Sequence, residues 1–387
     1  DSFIHFNDKY YLKKAEEIFN WVEGFMTSEM GVFYSTIDAD SDGEEGKYYV
    51  FTPKELDDNF SKSDLDLLDN YLLNLSKPNF EGSHHLHVHR KKEASFKKDI
   101  KKFDDIFRKL SDIRNKKNIP GIDKKILLSW NCLYIKGMIK LYKVTQREKY
   151  LTTIDKALNF ICQNMIEDDF IYSCFNGKSC FPGYLDDYAM FASSLMDYLT
   201  IKWDSKYFKI CNKLCFHLIN DFEDKEKGGY YFTSNNHEKL FYRPKSISDD
   251  SVPSGLVYAT DVLLQMGYLS GEKEFIDSAY KSITYINKSF GDNMTSNVSA
   301  INLLKEENLE REIIIVRTNN KNWKEIIKEK SYYQKYIIFI NNDESNLPYS
   351  IELKKPNGLF AAYICKGMTC SKPILNQKEF IEFINDK

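Results

Sequence analysis

Four segments of this chain repeat one design, and that repeat limits the folds open to it more than any other feature. They are "NDKYYLKKAEEIFNWVEGFM" (7–26), "REKYLTTIDKALNFICQNM" (147–165), "DSKYFKICNKLCFHLINDF" (204–222) and "GEKEFIDSAYKSITYINKSF" (271–290). Each opens on a polar turn, reaches a lysine, and continues as an amphipathic helix of about five turns. Lys149 and Lys206 stand 57 residues apart and Lys206 and Lys273 stand 67 apart, with Lys9 two further periods upstream. A period of this length marks stacked supersecondary units.

Between these helices lie others that are apolar nearly all round: "LLSWNCLYIKGMIKLYKV" (127–144), "YLDDYAMFASSLMDYLTI" (184–201) and "SGLVYATDVLLQMGYL" (254–269). A helix without a wide polar face is buried on both sides. The unit is therefore an αα-hairpin, one inner and one outer helix, and hairpins repeated in this way stack as a solenoid or close into a ring. Aromatic strand signals follow three of the outer helices, at "GVFYST" (31–36), "DFIYSCF" (169–175) and "GGYYFTS" (228–234). They read as small β-hairpins inserted on one face of the assembly.

From residue 311 the pattern changes to "REIIIVR", a helix "NWKEIIKEKSYY", "KYIIFIN", "GLFAAYICKG" and a closing helix "NQKEFIEFIND". Strands alternating with helices predict a small α/β region. The expected organisation is a mainly α array of hairpins over 1–306 followed by an α/β region over 307–387.

With 387 residues, 42% of them hydrophobic, the chain can bury a large core. Its 54 basic and 57 acidic residues nearly cancel, so no overall basic field recruits nucleic acid or an anionic membrane. The basic run "RKKEASFKKDIKK" (90–102) reads as the solvated face of a helix. No apolar stretch reaches the roughly eighteen residues that a membrane span needs. Eight cysteines without C-x-x-C pairs (Cys132, Cys162, Cys174, Cys180, Cys211, Cys215, Cys365, Cys370) predict reduced thiols in a cytoplasmic setting, with no zinc, disulfide or catalytic role.

The acidic stretch "IDADSDGEEGKYYV" (37–50) admits three readings: a calcium loop, an acid/base site or a solvated turn. Asp38, Asp40, Asp42 and Gly43 fit positions 1, 3, 5 and 6 of an EF-hand, but the twelfth position, which needs a bidentate Glu, is Tyr49. The calcium reading fails on that residue, and Tyr48, Tyr49 and Val50 look like the start of a strand. "HHLHVH" (84–89) puts His85, His87 and His89 on one face of a possible strand, a pattern that exposed histidines produce without a metal. No P-loop, Rossmann fingerprint or nucleophile elbow occurs, and no cofactor or metal is expected.

Four motifs stand where a β-hairpin leads into an inner helix: "DADSDGEEG" (38–46), "SWN" (129–131), "GYLDDYA" (183–189) and "SDDSVPSG" (248–255). Paired carboxylates suit glycoside chemistry, one protonating the leaving oxygen and the other acting as base or nucleophile. Asp38, Asp40 and Asp187 are the catalytic candidates; Glu45, Trp130, Asn131, Tyr184, Asp186, Tyr188, Asp249 and Ser254 are the substrate-binding candidates. Trp130, Tyr184 and Tyr188 offer flat faces for an apolar ring surface. Asp186 and Asp249 read equally as helix N-caps.

These residues resemble the spermatogenesis-associated protein 20-like, YyaL-type family, whose members are usually described as thioredoxin domain-containing. The matching motifs are "GVFYSTIDADSDGEEGKYYVFTPKEL", "NFEG", "DKKILLSWNCL", "FPGYLDDYAM", "GGYYFT", "RPKSISDDSVPSG" and "AAYICKGMTCSKPI", in order over nearly the whole chain. The resemblance implies an (α/α)6 toroid of helical hairpins like that of six-hairpin glycosidases and N-acylglucosamine 2-epimerases, with a carbohydrate-like ligand in its cleft. The family residues carried over are Asp38, Asp40, Glu45, Asp123, Trp130, Asn131, Asp187, Tyr188 and Ser254. Cys132 and Leu256 stand where the family has glycine or asparagine. The thioredoxin-like domain and the first inner helix of the ring are not in this sequence, so it reads as a fragment of a longer protein. Epimerases of this fold use histidines; outside the clustered run only His5, His217 and His237 occur, none in a cleft motif, so carboxylate chemistry, hydrolase or isomerase, is expected. The alternative is a non-catalytic scaffold that presents or regulates a thioredoxin-like partner domain.

Overall fold

In the computed structural model, residues 1–168, 170–291, 294–308, 311–320 and 336–385 are described. The chain divides into two compact units, residues 1–33 with 125–387 and residues 34–124.

The first unit begins with helices α1 (Ser2–Phe6) and α2 (Lys9–Phe25). The second contains the strands β1 (Thr36–Ile37), β2 (Asp40–Ser41) and β3 (Glu44–Glu45), helices α3 (Pro53–Asn59), α4 (Lys62–Tyr71), α5 (Glu93–Asp99) and α6 (Asp104–Asn115), and β4 (Ile122–Asp123). Then, in the first unit again, come β5 (Ile126–Leu127), α7 (Leu128–Thr145), α8 (Glu148–Asn164), β6 (Ile166–Glu167), β7 (Phe170–Phe175), β8 (Ser179–Pro182), α9 (Leu185–Leu199), α10 (Ser205–His217), α11 (Gly255–Ser270), α12 (Lys273–Ser289) and α13 (Val298–Asn308). The sheet strands β9 (Glu312–Arg317), β10 (Tyr336–Ile340), β11 (Ala361–Lys366) and β12 (Thr369–Cys370) precede a closing helix, Gln377–Asn385.

The pairs α7/α8, α9/α10 and α11/α12 are the three successive αα-hairpins that the repeat predicts, and α7, α9 and α11 pack on one another in chain order. The mainly helical, hairpin-built class expected from the sequence is the one observed. Burial separates inner from outer helices as the patterning requires. In α9 every residue from Asp187 to Met196 is buried, whereas α8 and α10 bury one stripe each. The cations Lys136 and Arg311 enter this interior paired: Lys136 on α7 donates to Ser193 Oγ and Asp197, both at 2.6 Å, on α9. Arg311 pairs with Asp261 on α11 at 2.6 Å and with Glu306 on α13 at 2.8 Å.

The C-terminal sheet runs β10-β9-β11-β12, with β10 parallel and β11 antiparallel to β9. Ile314, Val316, Phe339, Ile364 and Phe380 fill the core between this sheet and the closing helix. The expected helix over 322–333 lies outside the described residues. The second unit has its own core, in which Phe51, Leu56, Leu68, Phe96, Phe103 and Leu110 meet.

Several local expectations are corrected. Cys365 and Cys370, opposite one another on β11 and β12, form a disulfide, so not all eight cysteines are reduced; their spacing of five residues across a tight hairpin brings them within reach. Residues 85–89 form no strand: His89 Nε2 lies 2.8 Å from the Leu73 carbonyl, and buried His84 bridges Phe51. Tyr48 and Tyr49 lie in a turn rather than a strand. Of the three inserted hairpins, β7/β8 forms fully, whereas Phe33 and Tyr230 make isolated bridges, to Thr27 and Glu223.

Candidate functional site

A cleft of about 370 Å³ opens in the first unit. β6 contributes Glu167, with Asp168 directly after it, β7 contributes Phe170, Ile171 and Tyr172, and Pro182 and Gly183 lead into α9, which adds Tyr188. Asp221 follows α10, and Ser234, Asn236 and His237 complete the wall.

Local sequence explains this convergence. Gly183 donates its N–H to the Ile171 carbonyl at 2.8 Å, and a Cβ there would meet Ile171 Cγ1 at 2.7 Å, so only glycine lets the approach to α9 lie against β7. Asp187 then fixes the start of the helix. One of its oxygens accepts from Tyr184 N–H at 3.0 Å and the other from Ser129 N–H, at the start of α7, at 3.1 Å. One carboxylate therefore joins the N-termini of two inner helices, where backbone donors lack helical partners. Burial pushes its pKa up to about 6 against those hydrogen bonds. The next residue of α9, Tyr188, reaches β7, where its hydroxyl accepts from Ile171 N–H at 3.4 Å.

Asp221 sits in a π-helical turn, Leu218–Phe222, which continues α10. Such turns are rare and recur at functional sites. Asp221 Oδ2 lies 2.7 Å from His217 Nδ1, and the imidazole packs between Phe170 and Tyr188, with ring centroids at 5.8 and 5.6 Å. On the far wall, His237 Nδ1 lies 2.8 Å from Ser234 Oγ and its ring 4.9 Å from Tyr184, which stacks on Phe232 at 4.9 Å. Burial and nearby Arg243 hold His237 below the usual histidine pKa. Two non-glycine residues here carry left-handed backbone, Asp168 (φ 55°) and Phe181 (φ 61°). For a bulky aromatic this is a strained conformation.

Among the residues predicted from sequence, Tyr188 lines the cleft, Tyr184 packs against it through His237, and Asp187 positions both from below. Asp186 is half-buried beside Gly255, and burial, reinforced by the charge of Asp187, pushes its pKa up to about 6. The Asn131 amide is engaged by backbone: Oδ1 accepts from Phe33 N–H at 2.9 Å, and Nδ2 donates to the carbonyls of Phe33 and Leu127. Asp249 accepts from Ser254 N–H at 3.0 Å and Ser299 N–H at 2.8 Å, and Ser254 caps α11. Trp130, on the first turn of α7, is 41% exposed.

Asp38, Asp40 and Glu45 belong to the second unit and are exposed. Strands β2 and β3 pair as a hairpin whose two-residue turn, Asp42–Gly43, has φ of 55° and 77°, the sign pattern of a type I′ turn. Asp38 Oδ1 accepts from Asp40 N–H at 3.2 Å, and Asn118 holds Asp42 at 2.7 Å. The acidic stretch is thus a hairpin. Glu45 lines a separate cleft of about 350 Å³ in this unit, with Glu55, Phe80 and Lys117. Among the described residues, no group of three His, Cys, Asp or Glu is placed to hold a metal ion.

Sequence reasoning set aside His217 and His237 and did not consider Asp221. The His-x-x-x-Asp spacing of His217 and Asp221 on a helix was the available signal for the first pair, since residues four apart share a face. His237 sits in a loop with no such signal.

No family model matches the chain. Human spermatogenesis-associated protein 20 is 24% identical over 98% of this chain and 55% of its own length, and the mouse protein is also 24% identical over the same shares. The family resemblance read from the motifs therefore holds over nearly the whole sequence. The chain spans about half the length of these curated relatives. Among solved structures, a GH76 alpha-mannanase of Bacteroides thetaiotaomicron overlaps 69% of this chain and 65% of its own at 13% identity and a TM-score of 0.39. A family 105 glycoside hydrolase of C. acetobutylicum overlaps 76% of each chain at 14% identity and a TM-score of 0.37. At these scores the overlaps carry no functional inference. No helix among the described residues is long and apolar enough to cross a membrane.

Proposed function

We propose that the first unit binds a carbohydrate or similar polyol in the cleft between β7, α9 and the turn after α10. The supporting observation is the placement of Asp221 in the cleft wall, held from behind by His217 at 2.7 Å. A carboxylate fixed in this way accepts hydrogen bonds from ligand hydroxyls with little loss of side-chain freedom on binding. Glu167 and Asp168 add acceptors, while Phe170, Tyr172 and Tyr188 add apolar ring surface. A cavity of this size with aromatic walls and a few polar groups is the usual form of a small-molecule site.

In this reading proton transfer falls to Asp221 and His217, a carboxylate and an imidazole in direct contact at 2.7 Å. Asp187, with both oxygens occupied by backbone N–H groups, takes the positioning role, and Asp38 and Asp40 have no part in this reading. Calorimetric titration against a panel of mono- and disaccharides tests it. The Asp221→Asn variant is expected to bind the tightest panel member at least about tenfold more weakly, the loss of one charge-assisted hydrogen bond. Equal affinity in that variant, or no binding of any panel member by the unaltered chain, would overturn the reading.

A further inference from the structure

Two pairs of cysteines face one another directly across antiparallel strands. Cys365 and Cys370 stand opposite on β11 and β12 and are joined by a disulfide. Cys174 and Cys180 stand opposite on β7 and β8 and are thiols. Directly opposed residues of an antiparallel pair have Cα atoms about 4.5–5.5 Å apart and side chains on one face, which is within the span that a disulfide bridges. The Cys180 side chain already leans across, since its thiol donates to the Cys174 carbonyl at 3.5 Å. The relation that is bonded in one hairpin is therefore a dithiol in the other.

The two thiols differ in access. Cys174 has 3% of its surface exposed, whereas Cys180 is half-buried. Cys132, Cys211 and Cys215 are fully buried within helices, out of reach of a dissolved reagent. A reagent at this hairpin meets Cys180 first, and Cys174 lies opposite the sulfur that has reacted. The pair stands beside the cleft without lining it: Tyr172 and Pro182, two residues further along the two strands and opposite one another, do line it. Between Cys180 and Pro182, Phe181 carries left-handed backbone that its β-carbon disfavours, so this stretch of β8 is held against local strain. A covalent tie next to it fixes the register of the hairpin that forms one wall of the cleft.

We propose that Cys174 and Cys180 are a site of covalent modification, a dithiol that reacts with a small-molecule disulfide of the glutathione class and closes to a disulfide of its own. The Cys180 thiolate attacks one sulfur of the reagent, the reagent's S–S bond breaks, and one glutathione thiolate leaves. The Cys174 thiol then gives up its proton and attacks the Cys180 sulfur, expelling the second glutathione. The protein dithiol is oxidised by two electrons, and the reagent is reduced to two thiols. The reaction is independent of the ligand that the cleft takes.

The test is to incubate the full chain with oxidised glutathione at mildly alkaline pH, block the remaining thiols by alkylation, unfold the protein and digest it with trypsin without reduction. Lys178 lies between the two cysteines, so cleavage after it yields two peptides held together only by the new bond. Joined peptides are expected to be the main form of this hairpin, and a dithiol reductant added before alkylation should return both cysteines as alkylated peptides. Cys174→Ser should trap glutathione on Cys180. Cys180→Ser should leave Cys174 at least about tenfold less modified than that, because its thiol is shielded. Matched melting temperatures show that the variants fold, and the unaltered chain carries the test by itself if they do not. Two alkylated peptides from the unaltered chain, or a glutathione adduct on Cys180 that never closes, would overturn the proposal. Equal modification of Cys174 in the Cys180→Ser variant would overturn the order of attack.

Discussion

Asp187 has 4% of its surface exposed, and its carboxyl has a pKa pushed from the usual 3.8 to about 6. The folded state therefore holds a proton that the unfolded chain releases between these values, so the sign is a loss of stability as pH rises from about 4 to about 6. The size for one such buried group is about 3 kcal/mol. Urea denaturation at pH 4.5 and 7 should show this fall, and Asp187→Asn should reduce it, because the amide has no proton to lose, leaving the part that burial of Asp186 contributes. At pH 7, where the residue is ionised, the amide can accept only one of the two N–H groups that the carboxylate serves, which offsets about 1–2 kcal/mol of the gain from removing the buried charge. A pH profile identical to that of the unaltered chain would exclude Asp187 as the source. The residue was legible in the sequence as one of a pair of aspartates opening an apolar helix, but its job was not. Catalytic and capping aspartates share composition and position, and only the distances to Ser129 and Tyr184 separate them.

The hairpin helices were legible because burial on two sides imposes an apolar pattern that no other requirement imitates. The expected inner helices at 127–144, 184–201 and 254–269 became Leu128–Thr145, Leu185–Leu199 and Gly255–Ser270. The β-hairpins were less so: "GGYYFTS" has the β-forming residues of a strand, yet its backbone takes turns about Gly228 and Gly229, both with positive φ. Propensity yields there to tertiary context. At the same scale, α11 can begin where it does because it begins with glycine: a Cβ on Gly255 would lie 1.9 Å from Asp186 Oδ1 on α9. Gly255→Ala is expected to cost about 1 kcal/mol, because the atom it meets is the end of the Asp186 side chain and can turn aside. Adding Asp186→Ala should recover most of the loss, a non-additivity expected of residues in contact. Thermal or urea denaturation of the four species checks it, and additive losses would show that the clash is relieved some other way.

At the scale of the whole molecule, the repeat gave no sign that residues 34–124 form a compact unit of their own. The helices of that unit are short and closed by local devices, such as the capping boxes Thr52–Glu55 and Ser61–Asp64, rather than by a shared period. Its core of Phe51, Leu56, Leu68, Phe96, Phe103 and Leu110 draws entirely on this segment. Expressed alone, residues 34–124 should therefore unfold cooperatively, with dispersed amide resonances. A chain lacking a sigmoidal transition would show that the core needs help from outside the segment.

The clasp of Asn131 on Phe33 has a corollary for the engineering of this chain. Its amide brings Phe33 beside Leu127 within the first unit, and β1 pairs with β4 at the two ends of the second. Departure and return thus share a single doorway, and a short glycine-serine bridge in place of 34–124 has little distance to cover. The segment is a cassette that a designer can lift out.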